Sequence, residues 1–401
     1  MPLLIMFLIL PFCLAGNPPS ASAHPAKRWN AVFQAQDGWT GGDCAGTVPL
    51  PGDRVLWLFG DSWIGPVREG RHAEGSHMVN NAIAVHPIGS KGAPPKRGTV
   101  DFVWGSEGDD GKPRAWVVPD DSARGEHHID KNLRYWPTGG GVVAERPGGG
   151  HRLYVFLMRI RDRDGADGVW NFEGCGSAVV RVENPEDRPI AWRKAQTTLT
   201  RLPAQIAAGV RRVSWGVAAM VDDTGDAEEQ HVLIYGVDTT DGLNKKLLLA
   251  RVPADHVDRF RDWRFWDGRG WSRRPDNASP IADNVMDELT VHRFGAVEKP
   301  LYLMIYSKPI LDDHIVARTA PTPQGPWSAI REIYRCPEPA TDKRLMAYSA
   351  KAHPELSRDG QLLITYCVNS TDFFHMAGDA TIYRPRFIEM PRRGLRDGSG
   401  R

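Results

Sequence analysis

The sequence is short of cysteine, of helix-patterned stretches and of charge imbalance, and each shortage excludes something. Five cysteines in 401 residues are too few for a disulfide-built scaffold. Cys13 lies in "LPFC", which lacks the small residue that a lipoprotein cleavage site needs. The other four, Cys44, Cys175, Cys336 and Cys367, match no zinc spacing. They either pair or stay as buried thiols. A formal net charge of +1, with no strong asymmetry along the chain, favours neither nucleic acid nor an anionic membrane as partner. Beyond the N-terminal leader no apolar run approaches the roughly eighteen residues of a membrane span. G-x-S-x-G, H-E-x-x-H and the P-loop are all missing. "TGGG" at Thr138 leads into no helix, so it is no dinucleotide fingerprint.

Hydrophobic residues make up 41% and charged residues 25%, which is enough apolar material for a packed core. Pro2 to Ala15 is almost wholly apolar, and Ala21-Ser22-Ala23 offers a small-x-small cleavage site before His24. This pattern reads as a secretory signal. The expected division is a signal peptide over 1–23, one domain over 24–390 and a disordered tail over 391–401. The expected location is secreted or periplasmic.

Strand signals dominate what remains. "DRVLWLFGD", "NAIAVHP", "RLYVFLMRI", "GSAVVRV", "HVLIYGV", "LYLMIYS", "HIVARTA" and "QLLITYCV" are short β-rich runs bounded by turn residues. "PADHVDRFRDW", Pro253 to Trp263, is the best helix candidate. The strands recur as five units. The openings lie at Trp39, Tyr135, Val213, Val285 and Met346, glycine- or serine-bearing in all but the Val285 unit. An apolar strand follows, then a third strand and usually a Trp-bearing piece. The pattern predicts an all-β fold, a five-bladed β-propeller whose small residues let the inner strands converge on one axis. "RWNAVFQAQ", Arg28 to Gln36, is expected to supply the missing fourth strand of the last unit and close the ring.

In such a fold the unit openings share one mouth. The polar residues there are Asp37, Asp43, Asp61, Thr138, Ser214, Asp287, Glu288, Ser349, Lys351, His353 and Glu355. Asp43 in "TGGD" and Asp61 in "LFGD" flank one strand, a turn at Pro51-Gly52-Asp53 and a return strand. That is a hairpin, and it brings both carboxylates to its open end. Paired carboxylates at a cleft suit glycosidic cleavage, one as acid and one as base or nucleophile. A turn role is the plainer alternative for each. Glu288, before an alternating strand, is the third catalytic candidate. Asp37, Trp39, Trp63, Asn81, Trp136, Trp215, Lys351 and His353 are the substrate-binding candidates. Trp can stack on sugar faces, though wedging between sheets is its commoner use. His353 lines the axis, binds a hydroxyl or ligates a central ion; a buried structural role competes.

"GWTGGDCAGTVPLPGDRVLWLFGDSWIG", the Asn81 strand, "DELTVHR", "GPWS" and "AKAHPELSRDGQLLITYCVNS" resemble the glycosidase-like five-bladed propellers, the arabinanase, invertase and levansucrase groups. More closely they resemble a family long labelled a domain of unknown function, some of whose relatives are endo-D-arabinofuranases. The resemblance runs from about Asp37 to Phe387. It implies that the positions of Asp43 and Asp61 form an acid/base pair. In arabinanase-type relatives a Glu from a later blade is the general acid and a central His can sit near a metal. Glu288 and His353 are the nearest positions here. The expected function is therefore hydrolysis of a glycosidic bond in a polysaccharide or glycan, such as a furanoside in arabinan. The alternatives are a non-catalytic carbohydrate-binding propeller and a protein-interaction propeller. The expected partner is a carbohydrate, with no nucleic acid and no membrane after signal cleavage, and the protein is expected to be a monomer. No cofactor is required, no metal ligand is assigned, and a central structural cation near His353 is left open.

Overall fold

A computed structural model describes residues 23–96, 98–120, 132–146, 148–163, 171–202, 210–222, 230–295, 299–309 and 312–395. The leader expected over 1–23 lies outside them except for its last residue. The chain is an all-β protein of antiparallel sheets with few and short helices.

Five sheets follow in chain order, each a meander. The first runs Gly46–Leu50, Arg54–Phe59, Ala82–Pro87, Asp101–Val103. The second runs Arg134–Glu145, His151–Asp162, Phe172–Val182, Lys194–Arg201. The third runs Val213–Asp222, His231–Asp238, Lys246–Pro253, Arg264–Trp266, with Trp271–Ser272 added at its edge. The fourth runs Leu289–Phe294, Leu301–Ser307, His314–Ala320, Arg331–Arg335. The fifth runs Leu345–His353, Gln361–Ser370, Pro385–Pro391. Its outer edge is completed by His24–Pro25, through His24↔Glu389 and Pro25↔Ile388.

The core is divided among the gaps between sheets. Leu56 and Leu58 pack towards the second sheet. Val55, Trp57 and Phe59 pack towards the fifth sheet with Phe387 and Leu363. One strand thus buries both faces, which is why it reads as a continuous apolar run. Further clusters fill the gaps between the second and third, third and fourth, and fourth and fifth sheets. The first strands crowd together where side chains are absent. A Cβ on Gly46 would stand 2.5 Å from Gly139 Cα, and one on Gly140 would stand 1.7 Å from the Gly216 carbonyl oxygen.

Two sequence expectations fail. Arg28 to Gln36 is no strand: Lys27–Val32 is a helix. Trp29 and Phe33, four apart, are both buried against Phe387, and that spacing is helical. Pro253 to Trp263 is no α-helix: it makes 3₁₀ turns at Ala254–His256 and Phe260–Asp262. Its core-facing residues Ala254, Val257, Phe260 and Trp263 recur every third residue, the period of a 3₁₀ helix rather than an α-helix. At the C-terminus Pro391 ends a strand and Arg392–Leu395 forms a 3₁₀ turn with Leu395 buried. The four later cysteines are free and buried, so the thiol reading holds. No helix among the described residues is long and apolar enough to cross a membrane.

Candidate active site

The hairpin expected around Asp43 and Asp61 is present. Leu50 pairs with Arg54 across the turn and Gly46 with Leu58 towards the open end. The pairing then continues past a break: the Asp43 amide donates to the Asp61 carbonyl at 3.3 Å, and the Gly60 amide donates to the Asp43 carbonyl at 3.2 Å. Beyond it the same two arms form an added three-stranded sheet, Trp39–Gly42 with Ser62–Ile64 and His77–Val79. Both aspartates therefore sit where one sheet hands over to another. The break is marked by Cys44 and Ala45 in left-handed conformation, φ 66° and 49°. Non-glycine residues hold that geometry only where their surroundings impose it.

The glycine of "FGD" has a specific reason. A Cβ on Gly60 would stand 2.3 Å from Asp43 Oδ1, so the missing side chain is the space the Asp43 carboxylate occupies. Tyr348 donates its hydroxyl to Asp43 Oδ2 at 2.7 Å, and Tyr383 is a second phenolic partner. Burial, then the charges of Glu288 and Asp61, push the Asp43 carboxyl up to about 7 against the lowering effect of the two phenols. Asp61 is pushed up to about 6 by burial, opposed by its hydrogen bonds and by the charge of Arg134. Asn80 Nδ2 and Trp136 Nε1 donate to Asp61 Oδ1 at 3.2 and 2.8 Å. Glu288 accepts from Ser349 Oγ at 2.6 Å and from Lys351 Nζ at 3.4 Å. All three carboxylate residues are recessed rather than sealed, each keeping part of its surface open.

The fifth sheet delivers three side chains to this cluster because its first strand is irregular. Its register with Gln361–Ser370 shifts between Tyr348 and Lys351, and Ser349 is left-handed at φ 57°. A regular strand would alternate faces. The irregularity lets Tyr348 reach Asp43 while Ser349 and Lys351 reach Glu288.

Of the other sequence candidates, Trp136 and Lys351 join the cluster. Asp37 is exposed and caps its own turn through the Gly38 amide at 2.8 Å. Trp39 is buried against Phe102 and Phe59. Trp63 stacks on His72 at 4.4 Å, in the added sheet. Trp215 is wedged against Trp263 and Phe265 between sheets. Asn81 is fully occupied, donating to the Val117 and Tyr135 carbonyls and accepting from the Val117 amide. It orients backbone, and its neighbour Asn80 is the one that meets Asp61. Thr138 is buried, and Asp287 pairs with Lys245. Glu355 is pushed up by burial and bonded by Thr47. Asn80, Tyr348 and Tyr383 escaped sequence reading. Only Asn80 carried a local signal, the Asn80-Asn81 doublet at a strand start.

Both ring nitrogens of His353 are taken, by the Thr47 hydroxyl at 2.7 Å and the Thr365 hydroxyl at 2.8 Å. Burial holds the ring well below its usual range, and the neighbouring His292 ring and Lys351 ammonium disfavour a charge on it further. A central cation there would meet occupied nitrogens and an ammonium, so these residues do not fit one. Among the described residues the group with metal-ligand spacing is Asp312, Asp313 and His314. Lys308 at 3.0 Å from Asp312 and Arg335 at 2.9 Å from Asp313 already balance it.

Comparison with known proteins adds the following. The profile of a family described as "Domain of unknown function (DUF5005)" matches residues 26–392. A solved chain from Bacteroides ovatus ATCC 8483, described as a "putative hydrolase", shares the fold at TM-score 0.70 and 19% identity, over 96% of this chain and 95% of that one. An alpha-L-arabinofuranosidase from Lactobacillus brevis aligns at TM-score 0.43 and 10% identity, over 91% and 94% of the two chains. A curated relative, "Notoamide biosynthesis cluster protein J'" of Aspergillus versicolor, is 36% identical over 87 residues. That stretch is 20% of this chain and spans only 22% of the relative's length.

Proposed function

We propose that the chain, which belongs to the family described as "Domain of unknown function (DUF5005)", is an exported glycoside hydrolase on a five-bladed β-propeller. Five meander sheets with a hydrophobic cluster in each gap support the ring, with His24–Pro25 as its clasp.

The observation that carries the chemistry is the environment of Asp43. Its carboxyl is held up at about 7 beside two other carboxylates, so it keeps a proton near neutrality. Glycosidic cleavage needs such a group beside a second carboxylate that is ionised. Asp43 is the acid: it gives its proton to the glycosidic oxygen as the C–O bond breaks. Asp61, fixed by Asn80 and Trp136, is the base: it takes a proton from the water whose oxygen bonds to the anomeric carbon. One sugar leaves with a new hydroxyl, the other as the alcohol. Glu288 is the third carboxylate, at the same mouth. Trp136, half-buried beside Asp61, offers an indole face for a sugar ring. The cations near the carboxylates are committed, Lys351 to Glu288 and Arg134 to Asp162 at 2.7 Å. The mouth therefore suits a neutral sugar such as a furanoside, and needs no cofactor.

The test is release of reducing ends from a panel of plant and bacterial polysaccharides. Asp43→Asn and Asp61→Asn, checked for an intact fold by circular dichroism, are expected to lose roughly 10²–10⁴ of the rate. Full turnover in both variants overturns the pair. Binding of a glycan by wild-type protein without product selects the non-catalytic carbohydrate-binding alternative.

A further inference from the structure

Lys351 takes no part in the proton transfers assigned to Asp43 and Asp61, yet its side chain is 0% exposed. Burying an ammonium costs several kcal/mol unless it is paired and hydrogen-bonded. The chain has built around it. A Cβ on Gly139 would stand 2.3 Å from Lys351 Cε and 2.9 Å from Cδ. The second sheet thus leaves out a side chain where the lysine stem crosses. Lys351 Nζ donates to Ser349 Oγ at 3.0 Å. That oxygen in turn stands 2.6 Å from Glu288 Oε1 and 3.2 Å from the Cys44 carbonyl. Having accepted from the ammonium, the hydroxyl directs its one proton along the shorter contact, to Glu288. A chain of hydrogen bonds with a charge at each end is stronger than its separate links. The left-handed backbone at Ser349, φ 57°, is the strain the site carries to place that hydroxyl.

We propose that Lys351, directly and through Ser349, is a positioning residue that holds the Glu288 side chain in place beside Asp43. This rests on the glycoside hydrolase reading for its kinetic consequence but not for its geometry. The groups facing Lys351 are Glu288 from the bend that enters the fourth sheet, Cys44 from the first-sheet hairpin, and Cys367 and His353 from its own sheet. Those facing Asp43 are Glu288, Asp61, Tyr348, Tyr383, Cys44 and Cys367. The charge of Glu288 is one of the two that push the Asp43 carboxyl up. Letting that side chain swing away from Asp43 should therefore let Asp43 release its proton at lower pH.

Ser349→Gly is the cleanest probe, because glycine accepts a positive φ without strain. The variant should still fold, the relieved strain offsetting part of the lost hydrogen bonds, yet lose about tenfold or more in kcat with KM within about threefold. The basic limb of its pH–rate profile should move about one unit towards acid. Lys351→Met should move the same limb further, and Lys351→Arg should restore part of it. Wild-type kcat and an unmoved limb in folded Ser349→Gly and Lys351→Met overturn the proposal. A double-mutant cycle of Lys351→Met with Glu288→Gln, read by chemical denaturation, needs no activity. The double variant should be more stable than the two single losses summed, since it leaves neither charge alone. Additive losses overturn the ion relay even if the enzyme is a glycosidase. Coupling in a protein that hydrolyses nothing supports the relay and defeats the hydrolase reading instead.

Discussion

Asp43 keeps a proton near neutrality because water is replaced on several sides by groups that do not welcome a negative charge. Burial leads, and the charges of Glu288 and Asp61 follow. The same arrangement sets a stability cost. The folded-state value of about 7 lies above the ordinary 3.8. Between those values the folded protein binds a proton that the unfolded chain has released, so stability falls as pH rises through that window. Asp43→Asn removes the charge but keeps an oxygen for Tyr348. It should be more stable than wild type at pH 8 by about 1 kcal/mol or more. The gain should fade below about pH 4, where wild type is protonated in both states. Thermal melts across that range check it, and an Asn variant that is less stable at pH 8 contradicts the account.

At the scale of elements, the inner strands owe their approach to glycines. Gly140 would bring a Cβ to 1.7 Å from a Gly216 carbonyl oxygen, a contact with backbone that cannot swing aside. Gly140→Ala should therefore destabilise by roughly 1–3 kcal/mol or more, measured by urea denaturation. The apolar strands were legible in the sequence because each is buried on both faces and carries its own signature. Leu301–Ser307 and His314–Ala320 coincide with the runs read from composition alone. The hairpin joining Asp43 to Asp61 was legible for the same reason, together with its turn at Gly52 and Asp53, both at positive φ. What misled was reading these two segments without the neighbour they pack on. The 254–263 segment turns every third residue inward, and Trp29 and Phe33 stand four apart, but only a neighbour in space decides which residues count as buried. The side chains around the carboxylates were less legible. Tyr348 and Tyr383 lie some three hundred residues from Asp43 and follow no local pattern, and the irregularity that aims Tyr348 and Ser349 is invisible without the partner strand.

At the scale of the whole molecule, the two ends of the described chain meet. His24–Pro25 pairs with the last strand. Asn30 donates to the Phe387 carbonyl at 3.1 Å and accepts from the Phe387 amide at 2.9 Å. Trp29 stacks on the Phe387 ring at 5.7 Å, within the cluster between the fifth and first sheets. Sheets joined end to end should unfold together, so a lesion at the seam should be felt everywhere. Trp29→Ala should cost about 3–5 kcal/mol. Fluorescence and circular dichroism should still report one coincident transition. A separate early transition would show that the N-terminal segment is an ornament rather than a clasp.

The sequence by itself determined the all-β class, the positions of most strands and the pairing of Asp43 with Asp61. Those features rest on short-range rules: alternation, apolar runs and turn residues. Only the tertiary structure decided which polar residues surround the carboxylates. It drew in Asn80, Tyr348 and Tyr383, kept Trp136, Ser349 and Lys351 beside them, and left Asp37, Trp39, Asn81, Trp215 and His353 to capping, packing and backbone support. The reason is that a side chain's role here depends on what the neighbouring sheets place opposite it. That is set by the convergence of strands distant in sequence, and no local spacing encodes it.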